Sequence, residues 1–180
     1  MRRIVVTGST GAGKSTLAGE LARRLGVPHV ELDALYWDPG WTAAPRDVFR
    51  GRVDVALPAA GGWVVDGHYR AVRDLVWGRA DTLVWLDYPF PLVFWRLFRR
   101  CIVRGIRRVE LFNGNREELW KHFLTRESLF LWLFKSHWRR GRENREALAR
   151  LEFGHLRVQR FRWPGQAQQW LEGMRESAGA

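Results

Sequence analysis

The chain has 180 residues, 46% of them hydrophobic, which is typical of one compact domain. Its single cysteine, Cys101, excludes an internal disulfide, and no run approaches the roughly 18 apolar residues of a membrane span, so we expect a cytoplasmic protein with no membrane partner. The net charge of +11 is concentrated in residues 90–180, a pattern that is compatible with binding nucleic acid, an anionic membrane or phosphorylated small molecules, or with a solvated arginine-rich surface.

The N-terminal segment predicts a strand, a helix and a second strand. Ile4-Val5-Val6 is a short apolar run that ends near a glycine, which indicates a buried strand. Lys14–Leu25 has apolar side chains at helical spacing, and Gly26 follows it as a helix-terminating residue. Pro28–Leu32 is typical of another short strand.

The rest of the chain continues the alternation of helices and strands. In chain order we expect a loop at 36–44, a helix at 45–57, a strand at 63–65, a short helix at 70–77, a strand at 82–86, a helix at 91–103, a loop at 105–115, mainly helix at 116–150 with a break near Gly141, a strand at 156–161 and a last helix at 166–174. This alternation predicts an α/β fold with a parallel sheet covered on both faces. Residues 1–180 should form a single domain.

The turn between the first strand and the first helix has the sequence of a phosphate-binding loop. Gly8-Ser9-Thr10-Gly11-Ala12-Gly13-Lys14-Ser15 matches the pattern G-x-x-x-x-G-K-[ST] at every fixed position. Glycines allow several backbone N–H groups to point at one phosphate, and the following helix adds its positive dipole end. We predict that residues from Gly8 to Thr16 bind a nucleoside triphosphate, that Lys14 contacts its β- and γ-phosphates, and that Ser15 ligates Mg²⁺.

The third predicted strand ends in a polar motif, Asp66-Gly67-His68-Tyr69-Arg70. An aspartate at the carboxyl end of a parallel strand beside a phosphate loop can hold Mg²⁺ or its water. The motif resembles the Asp-Gly-x-x-Arg of adenylate kinase and other nucleoside monophosphate kinases, although His68-Tyr69 stands where adenylate kinases usually carry Phe-Pro. This resemblance implies that Asp66 serves the magnesium site and that Arg70 binds the phosphate of the acceptor.

The helix after the fourth strand carries Arg96, Arg99 and Arg100. In the adenylate kinase family two arginines four residues apart contact the transferring phosphoryl group, and Arg96 and Arg100 have this spacing on one helix face. The resemblance therefore implies a catalytic role for both, whereas the alternative is a solvated helix face. It also implies a P-loop fold of three α/β/α layers with strand order 2-3-1-4-5, an acceptor-binding region at about 34–60 and a lid at about 101–125.

Asp33 follows the second predicted strand. In related kinases such as shikimate kinase, an aspartate at this place binds a substrate hydroxyl, which implies that Asp33 is a hydroxyl anchor or a general base. The alternative is a loop aspartate that caps the next turn. Tyr36, Trp37 and Trp41 lie in the same region and can either stack on a base or sugar or belong to the core.

A narrower resemblance covers most of the chain. The segments 32–37, 63–69 and 112–117 resemble bacterial adenylate-kinase-like proteins labelled DNA topology modulation or flagellar regulation proteins. Together the motifs predict a kinase that uses ATP and Mg²⁺ to phosphorylate a nucleotide, nucleoside or other hydroxyl compound. A nucleic-acid-binding regulator with ATP as a ligand and a membrane-surface protein using residues 128–140 remain alternatives, and the acceptor, the choice between ATP and GTP, and a monomer or a homodimer remain open.

Overall fold

The computed structural model describes residues 2–107 and 129–176. In chain order the strands are β1 (Arg3–Gly8), β2 (His29–Glu31), β3 (Trp37–Asp38), β4 (Thr42–Ala43), β5 (Trp63–Asp66), β6 (Thr82–Leu86) and β7 (Arg157–Phe161). Five of them form one parallel sheet in the order β2-β5-β1-β6-β7, and β3 pairs with β4 in a separate antiparallel hairpin. When only the strands of the main sheet are counted, their order is 2-3-1-4-5, the order that the family resemblance implies.

Helices cover both faces of the sheet. They are α1 (Lys14–Leu25), α2 (Leu32–Tyr36), α3 (Arg46–Ala56), α4 (Arg73–Arg79), α5 (Phe90–Arg107), α6 (Leu129–Leu148) and α7 (Pro164–Glu176). Successive side chains of β1 point to opposite faces, so Ile4 and Val6 pack in one apolar cluster with α1, α5 and α7, whereas Val5 packs in a second cluster with α3 and α4. The result is the predicted arrangement of three α/β/α layers, with the carboxyl ends of the strands at one edge.

The loop expected at 36–44 is replaced by ordered structure. Residues 32–36 form a short helix, and the β3–β4 hairpin follows, with the Ala44 amide donating to the Tyr36 carbonyl at 2.8 Å. Arg52 of α3 secures this hairpin through a 2.8 Å contact with Asp38. Strands of two residues have no hydrophobic periodicity, and their stabilising contact comes from another element, so the pattern of local side chains could not predict them.

The break predicted near Gly141 is wrong, because α6 is continuous from Leu129 to Leu148. A glycine lowers helix stability by only about 1 kcal/mol, which packing can offset. A Cβ atom at Gly141 would lie 3.9 Å from Asp87 Oδ1, so the helix passes close to the end of β6 at this point.

Of the lid expected at 101–125, residues 101–107 belong to α5 and residues 108–125 lie outside the described residues. Within the described part of the chain, no helix is long and apolar enough to cross a bilayer.

Candidate nucleotide-binding and phosphotransfer site

The phosphate loop connects β1 to α1 at the carboxyl edge of the sheet. Gly8, Gly11 and Gly13 have φ angles of 152°, 87° and 91°, which other residues rarely adopt. Space is also short: a Cβ atom would lie 2.7 Å from the Leu86 carbonyl oxygen at Gly8, and 2.8 Å from the Val93 carbonyl oxygen at Gly11. The loop therefore needs glycine both for its backbone conformation and for its close packing on β6 and α5.

Lys14 begins α1 directly after Gly13, which occupies the N-cap in a left-handed conformation. The Lys14 Nζ donates a hydrogen bond to the Ser9 carbonyl oxygen at 3.2 Å. Burial lowers the pKa of Lys14 to about 8, and the nearby Arg140 guanidinium adds to this effect. Burial and the neighbouring positive charge both disfavour the protonated form of this lysine. An anion bound beside Lys14 would therefore stabilise the protonated form.

Charged groups from four different elements lie close enough to Lys14 to influence its ionisation. Two carboxylates oppose the lowering of its pKa and two guanidinium groups promote it; these are Asp33, Asp66, Arg100 and Arg140. Three of the four were predicted as site residues. The sheet and its helices thus bring the predicted phosphate, metal and acceptor ligands to the same cleft.

Oxygen atoms that suit a magnesium ion gather beside Ser15. The Ser15 hydroxyl donates to Asp66 Oδ1 at 3.2 Å, and Asp66 Oδ2 accepts a 2.8 Å hydrogen bond from His29 Nε2. Glu31 pairs with Asp66 between β2 and β5, and burial, followed by the Asp66 charge, raises the pKa of Glu31. Hydroxyl and carboxylate oxygens are the ligands that Mg²⁺ prefers, so these residues fit the ion. The described residues contain no cluster of three His, Cys, Asp or Glu side chains that would hold a metal alone, so nucleotide phosphates and water would have to complete its shell.

Helix α5 carries Arg96 and Arg100 to the phosphate loop. The Arg96 Nη1 donates to the Ala12 carbonyl oxygen at 3.3 Å, and its guanidinium lies 5.6 Å from the centre of the Tyr88 ring. Arg100, one turn further on, is among the groups that lower the pKa of Lys14. Arg96 therefore contacts the phosphate loop, and Arg100 lies within electrostatic range of Lys14.

Asp33 lies in the first turn of α2, within electrostatic range of Lys14. The Tyr69 hydroxyl donates to Asp33 Oδ1 at 2.6 Å. Burial and the Asp33 charge strongly raise the pKa of Tyr69, so its hydroxyl keeps its proton. The Tyr69 ring packs against Tyr36 and Phe49 at 4.7 and 5.1 Å between ring centres. Tyr69 is thus fixed in an aromatic cluster and orients the Asp33 carboxylate.

Arg70 lies beside this cleft on the outside of the molecule. Its side chain is 77% exposed and lies 3.8 Å from Glu143 of α6. Arg73 and Arg139 also lie 3.8 Å from the same carboxylate. A single acidic group therefore meets three guanidinium groups, which leaves an excess of positive charge at this end of the cleft.

Polar residues of α6 are the main group that sequence analysis missed. His137, Arg140 and Glu143 recur every three residues and therefore share a helix face. His137 Nδ1 lies 2.9 Å from the hydroxyl oxygen of Ser9 in the phosphate loop. The spacing of these three residues was visible in the sequence, but nothing local showed which segment they would contact.

Glu143 also reaches a buried histidine of the Asp66–Arg70 motif. Burial, with Arg140 and Arg73 adding to it, lowers the pKa of His68 to about 3, so the ring is neutral at pH 7. His68 Nε2 lies 3.4 Å from Glu143, and Nδ1 lies 3.1 Å from the Thr7 hydroxyl oxygen. Because a carboxylate accepts hydrogen bonds, the single ring hydrogen is on Nε2, and the Thr7 hydroxyl donates to Nδ1. This chain of contacts joins β1 to α6.

Comparisons with known proteins agree with this architecture. No protein-family model matches the chain. The uncharacterized protein YqaC of Bacillus subtilis (strain 168) is 29% identical over 131 residues, which cover 72% of each chain.

Among solved structures, a shikimate kinase from Bacteroides thetaiotaomicron is similar with a TM-score of 0.54 at 16% identity, over 99% of both chains. A gluconokinase from Sinorhizobium meliloti 1021 gives 0.52 at 18% identity, over 98% of this chain and 95% of its own. A shikimate kinase from Acinetobacter baumannii in complex with shikimate gives 0.54 at 16% identity, over 99% and 93%. The chain therefore shares the fold of these three structures, an α/β arrangement with a five-stranded parallel sheet.

Proposed function

We propose that this protein is an ATP-dependent phosphotransferase that transfers the γ-phosphate to a small-molecule acceptor. The observation that carries the proposal is the set of charged groups within electrostatic range of the Lys14 ammonium group. It contains two guanidinium groups, which suit a phosphate, and two carboxylates, of which we assign Asp66 to the metal and Asp33 to the acceptor. A protein that only bound a nucleotide would not need an acceptor-side carboxylate there. The named kinases of the same fold support this assignment.

The nucleotide side of the site consists of main-chain and cationic groups. We assign the binding of the phosphates to the amides of residues 8–16 and to Lys14. Ser15 and Asp66, with Glu31 beside them, would hold Mg²⁺, which when bound neutralises charge on the β- and γ-phosphates. Arg96, Arg100 and Arg140 stabilise the negative charge that spreads over the equatorial oxygens of the transferring group.

The acceptor side depends on Asp33. Tyr69 fixes one of its oxygens, and in our assignment the carboxylate binds the acceptor hydroxyl and takes its proton. The acceptor oxygen forms a bond to the γ-phosphorus while the bond from that phosphorus to the β–γ bridging oxygen breaks, so ADP leaves. The hairpin over residues 37–43 and the start of α3 form the wall of the proposed acceptor region at 34–60.

The acceptor class follows from the charges near Arg70. Arg70, Arg73 and Arg139 surround one carboxylate, that of Glu143, so a further anion would be stabilised at this position. We therefore assign Arg70 to acceptor binding and expect an acceptor that combines a hydroxyl or phosphate with a negative charge. The resemblance to topology modulation proteins is compatible with such an enzyme but names no acceptor.

The test is ATP consumption across a panel of hydroxy acids, sugar acids, nucleosides and nucleoside monophosphates. We expect acceptor-dependent production of ADP that the Lys14→Ala variant loses, while Lys135→Ala, which removes an exposed lysine of α6, retains it. Activity that survives in Lys14→Ala would exclude this site as the source. Duplex DNA in the same titrations tests the regulatory alternative, which requires binding that weakens steeply with salt.

A further inference from the structure

The carboxylate of Asp66 is held from both sides. The residue is 3% exposed, with Oδ1 accepting a hydrogen bond from the Ser15 hydroxyl and Oδ2 accepting one from His29 at 2.8 Å. Because an ionised carboxylate can only accept, His29 Nε2 must carry the ring hydrogen and donate it. His29 and Asp66 are 37 residues apart in sequence.

The position of the His29 ring follows from the pairing of β2 with β5. Glu31 pairs with Asp66 in register, and His29 lies two residues earlier on the same strand face. On the other side of the ring is α1, where a Cβ atom on Gly19 would lie 3.7 Å from His29 Nδ1. The imidazole therefore lies between the first helix and the carboxylate, with its side chain 22% exposed.

We propose that His29 is a positioning residue for the magnesium ligands, an inference that rests on the proposed function. A carboxylate can rotate so that either oxygen faces a metal. The hydrogen bond from His29 holds Oδ2 and thereby keeps Oδ1 directed toward Ser15. His29 does not itself join the metal, because Mg²⁺ selects oxygen ligands. Groups that orient metal ligands commonly change metal affinity by about 10- to 100-fold.

Calorimetric titration of ATP with and without Mg²⁺ tests this role without measuring turnover. For His29→Leu we expect metal-free ATP binding within about twofold of the wild type and a loss of about tenfold in the affinity gained from Mg²⁺. His29→Gln keeps an N–H donor at a similar reach and should restore most of that gain. His155→Leu serves as the matched control, because His155 contacts only a carbonyl of Trp77 among the described contacts and should change neither titration.

Three results would overturn the inference. The first is a loss of ATP affinity in His29→Leu that is equal with and without Mg²⁺. The second is an equal loss, in His29→Leu and His29→Gln, of the ATP affinity that is gained from Mg²⁺. The third is that neither variant loses any of this affinity. Failure of the proposed function looks different, because then either Lys14→Ala binds ATP like the wild type or no acceptor of the panel gives ADP production that depends on Lys14. If Lys14→Ala loses ATP binding while His29→Leu keeps the full affinity that ATP gains from Mg²⁺, only the role of His29 is rejected. Thermal unfolding of each variant confirms that the compared proteins are folded.

Discussion

The phosphate loop meets the polar face of α6, which is formed by His137, Arg140 and Glu143, in one cleft, but the two are built in different ways. The loop is a run of consecutive residues in which we propose that backbone amides bind the phosphates, and its conformation depends on glycines with positive φ. The α6 face consists of side chains, and its contacts with Ser9 and His68 span 128 and 75 residues of sequence. A site made of main chain can therefore be recognised from a local pattern, whereas a site made of side chains depends on how a helix packs.

We expect the largest effect from a substitution that tests whether the polar face of α6 takes part in the phosphate transfer. Arg140→Met removes the guanidinium but keeps most of the apolar stem. We expect turnover of ATP with the best acceptor of the panel to fall by about 100- to 1000-fold, because a charge that stabilises the transition state is lost. Arg142→Met, on an exposed position of the same helix, should stay within twofold. A similar small change in both variants would remove α6 from the active site.

The second prediction tests the other half of the comparison, the dependence of the loop on its backbone. Gly11→Ala places a Cβ atom 2.8 Å from a carbonyl oxygen at a φ of 87°. We expect the free energy of unfolding to fall by about 2–3 kcal/mol. Gly78→Ala in α4 meets nothing within 4 Å and should change stability by at most about 1 kcal/mol, in the favourable direction. Urea denaturation measures both, and equal losses would contradict the packing of the loop.

The third prediction links the two regions through Lys14, whose pKa is lowered from 10.5 to about 8. Between these values the unfolded chain binds a proton at this residue that the folded protein does not, so the free energy of unfolding rises with pH in this window. Lys14→Met should reduce that rise by about 1–3 kcal/mol. The measurement is urea denaturation of both proteins at pH 8 and pH 10.5. If the free energy of unfolding rises equally with pH in both proteins, the pKa of Lys14 is not lowered in the folded protein.

The smallest expected effect concerns the acceptor side. Tyr69→Phe removes the hydrogen bond to Asp33, which should lower kcat/KM for the acceptor by about fivefold, equivalent to about 1 kcal/mol. Asp33→Asn should have a larger effect, since it removes the proposed base. In the double variant the loss from Tyr69→Phe should disappear, because its partner is already changed. Additive losses would show that the tyrosine acts elsewhere.

Sequence patterns predicted the features that are local or strongly periodic. The glycine loop, the termination of α1 at Gly26 and the five strands of the main sheet all have this character. The strand order and the grouping of Asp33, Asp66 and Arg100 near Lys14 needed a family resemblance in addition.

What the patterns could not predict depends on contacts between distant segments. The contacts of His29 with Asp66 and of His137 with Ser9 form only when β2 pairs with β5 and α6 packs over the loop. The break expected at Gly141 was wrong because helix propensity is weak compared with packing. The β3–β4 hairpin was missed because its strands are too short to have a period.

The most direct measurement is calorimetric titration of ATP into the wild type and Lys14→Ala in the presence of Mg²⁺, with Lys135→Ala as the matched control. The account predicts saturable binding by the wild type and the control, and affinity weaker by at least about tenfold in Lys14→Ala, since a charge-assisted contact with phosphate is lost. Wild-type protein that takes up no ATP at millimolar concentration, or a Lys14→Ala variant that binds as tightly as the wild type, would contradict it.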